Sequence, residues 1–160
     1  MFNFFKSKEK NYTYYAPCSG QLVRMNDIDD PVFSNKMMGD GYGIQPTSEN
    51  IYSPVYGVIT TIFPTKHAIG IKTNGGDEVL LHIGIDTVEL EGKPFEIFVE
   101  PGDKIKPEMQ IATMDIQMLE ELEKQSTVVV VYTNRSVTNE FDSLANNKVS
   151  AGEELGSISH

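Results

Sequence analysis

His67 and His82 stand in two strand-like stretches on either side of a turn signal, inside the run Phe63 to Val88. Between them lies Asn74-Gly75, the favoured pair for a two-residue type I′ hairpin turn. A hairpin closed on that pair sets His67 directly opposite His82 on one face of the ladder, with Cβ atoms about 4.5–5.5 Å apart. A loop centred on Gly75-Gly76 would leave the pair diagonal but still on one face, because that shift is even. Two facing imidazoles suit group transfer. A neutral imidazole is nucleophilic at about pH 7 and takes up and releases groups without a strong base. Burial among Leu80, Leu81, Ile83 and Ile85 disfavours the charged form, so at least one ring stays neutral. The second ring can donate a hydrogen bond to negative charge arriving on the first, an arrangement fitted to transient phosphorylation on nitrogen. The residues leave two other readings open. The histidines could serve packing alone, or hold a metal opportunistically, zinc at His67 and His82, with Asp86 the nearest third donor.

The elements that must position these rings are strands. Apolar or alternating runs recur at Gln21 to Met25, Val58 to Phe63, Ala68 to Lys72, Val79 to Ile85, Phe95 to Val99, Gln110 to Met114 and Thr127 to Tyr132. Gly and Pro punctuate the gaps, the pattern of an all-β antiparallel sandwich or barrel. One short helix is predicted near 115–124: Asp115 caps it, Ile116, Leu119 and Leu122 share a face, and the acidic residues stay outside. Gly39-Asp40-Gly41-Tyr42-Gly43 reads as a tight turn, and it lacks the Lys-Ser/Thr ending of a phosphate-cradling loop. A faint internal duplication pairs Ala16-Pro17-Cys18-Ser19-Gly20-Gln21-Leu22 with Ser53-Pro54-Val55-Tyr56-Gly57-Val58-Ile59. A second echo pairs Gly102-Asp103-Lys104-Ile105 with Gly152-Glu153-Glu154-Leu155. Two interlocked half-sandwiches would explain both.

Composition removes several classes of function. The chain carries 13 basic and 23 acidic side chains, a net charge of −10. Nucleic-acid binding needs a basic stripe to displace counterions, so this surface argues against it and favours a partner with a basic face. No run approaches the roughly 18 apolar residues of a membrane span. Residues 1–11 read as a flexible tail and 12–160 as one domain. Phe2, Phe4 and Phe5 beside Lys6, Lys8 and Lys10 offer at most weak peripheral membrane contact. The single Cys18 allows no internal disulfide and suggests a reducing cytoplasm. A monomer is expected, since no extra apolar stripe is present.

The tract Gly76-Asp77-Glu78-Val79-Leu80-Leu81-His82-Ile83-Gly84-Ile85-Asp86-Thr87-Val88 resembles the phosphorylation-site signature of the glucose-type enzyme IIA of the bacterial phosphoenolpyruvate:sugar phosphotransferase system. The resemblance runs from about Tyr14 to the C-terminus. It takes in Ala16-Pro17-x-Ser19-Gly20, Val32-Phe33, Gly39-Asp40-Gly41, Pro46, Pro54-Val55-x-Gly57, Thr65-x-His67-Ala68 and Val88-Glu89-Leu90. It implies an antiparallel β-sandwich with Greek-key and jelly-roll connections. His82 would be the phosphoacceptor, with Nδ1–H held by a backbone carbonyl near Gly84. His67 would contact the phosphoryl oxygens and Thr65 would fix its tautomer. An apolar docking ring is implied at Val32, Phe33, Met37, Met38, Phe63, Leu80 and Val88, with Asp30 and Asp86 as rim carboxylates meeting partner arginines. Leu80 departs from the aromatic residue common in the family, and Pro31 stiffens the segment before Phe33.

The resemblance implies a phosphocarrier that takes its phosphoryl group from the general carrier protein HPr and gives it to the cysteine of a sugar-specific enzyme IIB, with no cofactor required. A second class of function is a binding module whose phosphorylation state controls non-transport regulatory targets. A metal-dependent hydrolase or a lipoyl-like carrier lacks support: neither a third good metal ligand nor a Met-Lys-Met-type turn is present.

Overall fold

A computed structural model describes residues 10–134 and 141–158. The elements in chain order are β1 (Thr13–Tyr15), β2 (Gly20–Arg24), α1 (Pro31–Ser34), β3 (Asp40–Pro46), β4 (Asn50–Tyr52), β5 (Gly57–Ile62), β6 (Ala68–Thr73) and β7 (Glu78–Ile85). They continue with β8 (Phe95–Ile97), β9 (Lys104–Ile105), β10 (Gln110–Met114), α2 (Ile116–Glu121), β11 (Gln125–Tyr132), β12 (Lys148–Val149) and β13 (Glu154–Ser157). Short 3-10 turns occupy Met25–Asp27 and Val88–Leu90. An eight-stranded sheet runs β12-β2-β3-β11-β7-β6-β5-β9, with a three-stranded sheet β4-β10-β8 and the pair β1-β13 beside it. All the pairings are antiparallel. The chain is an antiparallel β-sandwich, and each strand run read from the sequence is present.

Alternation along the central strands divides their two faces. Val79, Leu81 and Ile83 of β7 and Val128, Val130 and Tyr132 of β11 enter the main core. Leu80, Val129 and Val131 point the other way, into a smaller cluster with Met25, Ile28, Phe33 and Ile85. Ile85 joins that cluster out of phase. Gly84 takes a left-handed φ of 77°, and the β7–β11 register slips between Gln125 and Val128. An irregularity of this kind moves every later side chain to the opposite face. The small cluster is the floor on which the site is built.

The duplication is present in the pairing itself. Gly20 opens β2 opposite Pro46, and Gly57 opens β5 opposite Thr73. At each glycine a Cβ would lie within 2.1–2.3 Å of a carbonyl oxygen of the neighbouring strand, Gln45 O or Lys72 O. Both positions therefore exclude a side chain by close approach of two backbones. Each half repeats the plan of a short strand, a Pro-x-x-Gly turn and a long hairpin: β1, β2 and β3 in one, β4, β5 and β6 in the other. The second echo needs a correction. Ile105 faces Gly57, but the residue facing Gly20 is Val149. The counterpart of Lys104-Ile105 is therefore Lys148-Val149, not the Gly152–Leu155 stretch. In the same way β10 on β4 corresponds to β13 on β1.

Three local readings also change. Gly39–Gly43 is not a tight turn, since Asp40–Pro46 forms an interior strand. Its glycines serve close packing: a Cβ on Gly41 would stand 1.8 Å from Val130 O, and one on Gly43 would meet Ile28 at 3.0 Å. The predicted helix at 115–124 is shortened to Ile116–Glu121, capped by Asp115 Oδ1 accepting from Met118 N at 3.0 Å. A further helix, α1, begins where Asp30 Oδ2 accepts from Val32 N and Phe33 N, with Pro31 in its first turn. Asp-Pro is a helix-start signal, but four residues are too few to show periodicity.

Candidate functional site

His82 lies on β7, the strand between β6 and β11 in the eight-stranded sheet, facing Ala68 on one side and Val129 on the other. The expected register, with His67 directly opposite, is off by one. The hairpin closes through the three residues Asn74, Gly75 and Gly76: Thr73 N donates to Asp77 O, and Gly76, at φ 96°, donates to Thr73 O. Residue 67 is thus opposite Ile83, whose N–H donates to His67 O at 2.7 Å. An odd slip should put the two rings on opposite faces. They meet nonetheless, with centroids 5.1 Å apart and planes at 73°. The reason lies in the connection before β6. Lys66 is left-handed at φ 59° and its N–H closes a turn onto Phe63 O. His67 precedes the first residue of β6, so its side chain is freed from the alternation of the pleat.

Hydrogen bonds fix both rings. His82 Nδ1 donates to Gly84 O at 2.7 Å. A carbonyl only accepts, so Nδ1 carries the proton, and in the neutral ring Nε2 keeps its lone pair. His67 Nδ1 is bonded to Thr65 Oγ1. With the hydroxyl donating, the His67 proton sits on Nε2, where it can serve as a donor. Phe33 packs edge-on to His82 at 5.1 Å and Phe63 edge-on to His67 at 5.3 Å.

Burial holds His67 below the ordinary histidine value of 6.5. Burial does the same at His82, opposed by the Gly84 hydrogen bond, reinforced by His67, and opposed again by Asp30 and Asp86. Both rings are therefore neutral at neutral pH, as a nucleophile and a hydrogen-bond donor require. Cys18, the other nucleophile type, is fully buried, and desolvation pushes its thiol up to about 12. It takes no part.

The rings open into a depression of about 160 Å³ lined by Asp30, Val32, Phe33, Met38, His67, His82, Ile85, Asp86, Thr87 and Val88. Among the expected ring residues, Val32, Met37, Phe63 and Val88 are exposed, Met37 at 72%. Met38 and Leu80 are half-buried. Phe33, at 4% exposed, belongs to the floor and not to the rim. Phe63 and Leu80 line a neighbouring depression with Thr61 and Gly70. Asp30 has a structural duty as the cap of α1. Among the described residues no group of three or more His, Cys, Asp or Glu could hold a metal, so Asp86 does not complete a set with the two imidazoles. Sequence reasoning missed Thr87 and Ile85 as lining residues. Both lay within the quoted signature, but the parity change at Gly84 that turns them toward His82 has no composition signal beyond the glycine.

The β-sandwich thus sets two neutral imidazoles together above an apolar floor, one with its proton held on Nδ1. Comparison with known proteins gives the class of protein to which this arrangement belongs. Residues 12–138 match the family model described as phosphoenolpyruvate-dependent sugar phosphotransferase system, EIIA 1. The chain is 44% identical over 138 residues to a PTS system glucose-specific EIIA component of Staphylococcus epidermidis, covering 86% of this chain and 83% of that one. It is 46% identical over 127 residues to a glucose-specific EIICBA component of Streptococcus pneumoniae, of which it covers 18% and which covers 79% of this chain. The solved structure of glucose permease IIA from Mycoplasma capricolum superposes with a TM-score of 0.79 at 34% identity, covering 90% of this chain and 93% of that one. The chain belongs to the EIIA type 1 family of the sugar phosphotransferase system. Among the described residues no helix is long and apolar enough to cross a membrane.

Proposed function

We propose that His82 accepts a phosphoryl group from the phosphohistidine of HPr and passes it to the cysteine of a sugar-specific EIIB. The observation that carries this reading is the bond from His82 Nδ1 to Gly84 O, which leaves Nε2 as the free lone pair beside a second imidazole. In the accepting step Nε2 attacks phosphorus and the donor's P–N bond breaks, its electron pair returning to the donor imidazole. His67, its Nδ1 satisfied by Thr65, donates from Nε2–H to a phosphoryl oxygen as charge spreads over the group. In the onward step a thiolate attacks phosphorus, a P–S bond forms, and the pair of the breaking N–P bond returns to His82 Nε2. No cofactor is needed for either step. The reading sets the chain in the cytoplasm with its donor, and the EIICBA name of the pneumococcal relative, which joins an A part to a B part, supports EIIB as the acceptor.

The test is an intact-mass assay with enzyme I, HPr and phosphoenolpyruvate on wild type, His82→Ala and His67→Ala. One acid-labile phosphoryl group on wild type, none on His82→Ala, and a labelled but slowly transferring His67→Ala are expected. An unlabelled wild type in the presence of an active donor would overturn the reading. The exposed Val32 and Val88 beside the rings, with Met38 between exposed and buried, favour a second role, docking of regulatory partners to the unphosphorylated form. Equal capture of one partner by both forms would count against it.

A further inference from the structure

We propose that Thr87 is a positioning residue for the phosphoacceptor, its buried hydroxyl holding the Gly84 carbonyl on His82 Nδ1 and so keeping the lone pair on Nε2. The inference rests on the reading of His82 as the nucleophile. Between Ile83 and Thr87 the backbone slips register at the end of β7 and then leaves the strand, passing through two left-handed residues, Gly84 at φ 77° and Asp86 at φ 58°. A non-glycine residue in that region is strained and persists only where its surroundings hold it. Thr87, with no exposed surface, supplies the hold: its Oγ1 donates to Ile83 O at 2.7 Å, tying the exit of the loop to its entry. Its methyl packs against the bare face of Gly84, where a Cβ would stand 2.6 Å from Thr87 Cγ2. Ile83 is also the residue whose N–H holds His67 O. The backbones at both imidazoles are thereby referenced to one residue, Ile83, and Thr87 locks the loop that carries the Gly84 carbonyl to it.

The consequence is chemical as well as mechanical. Which nitrogen of a neutral imidazole bears the proton is set by the hydrogen bond that its other nitrogen makes. With the loop released, Gly84 O no longer holds Nδ1–H, the Nε2–H tautomer becomes populated, and that fraction of the protein has no lone pair facing the donor. A purely structural threonine would cost stability and leave the tautomer alone.

Nitrogen NMR of the histidine rings in the unphosphorylated protein, above about pH 7.5 where His82 is neutral, separates the two. Wild type is expected to show His82 as the Nδ1–H tautomer, Thr87→Val to gain the Nε2–H tautomer, and Thr87→Ser to keep the wild-type state. Labelling from HPr should slow about tenfold in Thr87→Val and stay within about twofold in Thr87→Ser, in keeping with the usual effect of outer-shell partners. A folded Thr87→Val with the Nδ1–H tautomer and the wild-type rate would overturn the proposal. If that variant does not fold, Thr87→Ala is read in the same way. In wild type itself the Thr87 hydroxyl proton should be sheltered from solvent exchange, and a freely exchanging one would also overturn it. A shifted tautomer in a protein whose wild type is never labelled would sustain Thr87 and reject the phosphoacceptor reading, so the two fail separately.

Discussion

At the scale of single residues, neutrality of the two imidazoles ties chemistry to stability. Burial lowers both below 6.5. As pH falls the unfolded chain takes up these protons before the folded one, so protonation favours unfolding. The contribution is whole above about pH 6.5 and is lost as pH falls through the lower folded values. Urea midpoints at about pH 7.5 and pH 5.5 should therefore differ more for wild type than for the double variant His67→Gln/His82→Gln; equal differences would contradict the burial argument. Gly84 is the most constrained position of the site. Alanine there carries the left-handed penalty and sets its Cβ 2.6 Å from Thr87 Cγ2 and 3.0 Å from Gln125 O. Gly84→Ala should cost roughly 2–3 kcal/mol and abolish most labelling, as read by denaturation and the mass assay together.

At the scale of elements, α1 supplies part of the floor and rim of the site, and β3 pairs with β11, whose Val129 and Val131 complete the floor. Asp30 is both cap and rim charge, and two substitutions part these duties. Asp30→Ala should lose about 1 kcal/mol with the cap and slow labelling by loosening Val32 and Phe33, whereas Asp30→Asn should keep the stability and isolate the effect of charge. Thermal melts and labelling rates on both variants check this. Gly41→Ala, aimed at Val130 O from 1.8 Å, should cost about 3 kcal/mol or more by parting β3 from β11; a melting temperature near that of wild type would show the close approach to be unimportant. The strands and their order of alternation were legible in the sequence because period-2 patterning leaves little choice of face. The histidine pairing was legible only in outcome. A three-residue loop at Asn74–Gly76 shifted the register by one, and a left-handed Lys66 restored the contact. The Lys66 angle is not written in residue type, since lysine disfavours that region. The cap and Pro31 marked the start of α1, but its shortness hid it. The glycines of β3 looked like turn residues because close packing and tight turning ask for the same missing Cβ.

At the scale of the molecule, charge and symmetry matter most. A net charge of −10, with Asp30 and Asp86 beside the rings, favours a basic partner face. A phosphoryl group on His82, as proposed, would add roughly two negative charges beside those carboxylates. Labelling by HPr should slow as salt rises from about 50 mM to about 500 mM, since steering between exposed charges is screened; a flat salt dependence would assign docking to the apolar rim alone. The eight-stranded sheet ends at each side in a two-residue strand bearing a lysine, β9 with Lys104 and β12 with Lys148, a blunt edge that discourages pairing with another chain. The repeat of the two halves has an effect on how such a protein can change. The link between β2 and β3, residues 25–39, and its twin between β5 and β6, residues 63–67, both arrive at His82 from opposite sides. One twin is long and carries Asp30, Val32 and Phe33; the other is short and carries Thr65 and His67. On the proposed reading, two connections at matching places in the halves would take up two trades, one meeting the partner and one handling the phosphoryl group. Grafting a foreign 25–39 segment onto this scaffold would change its acquaintances, and would spare its reaction only where Met25, Ile28 and Phe33 of the floor are kept.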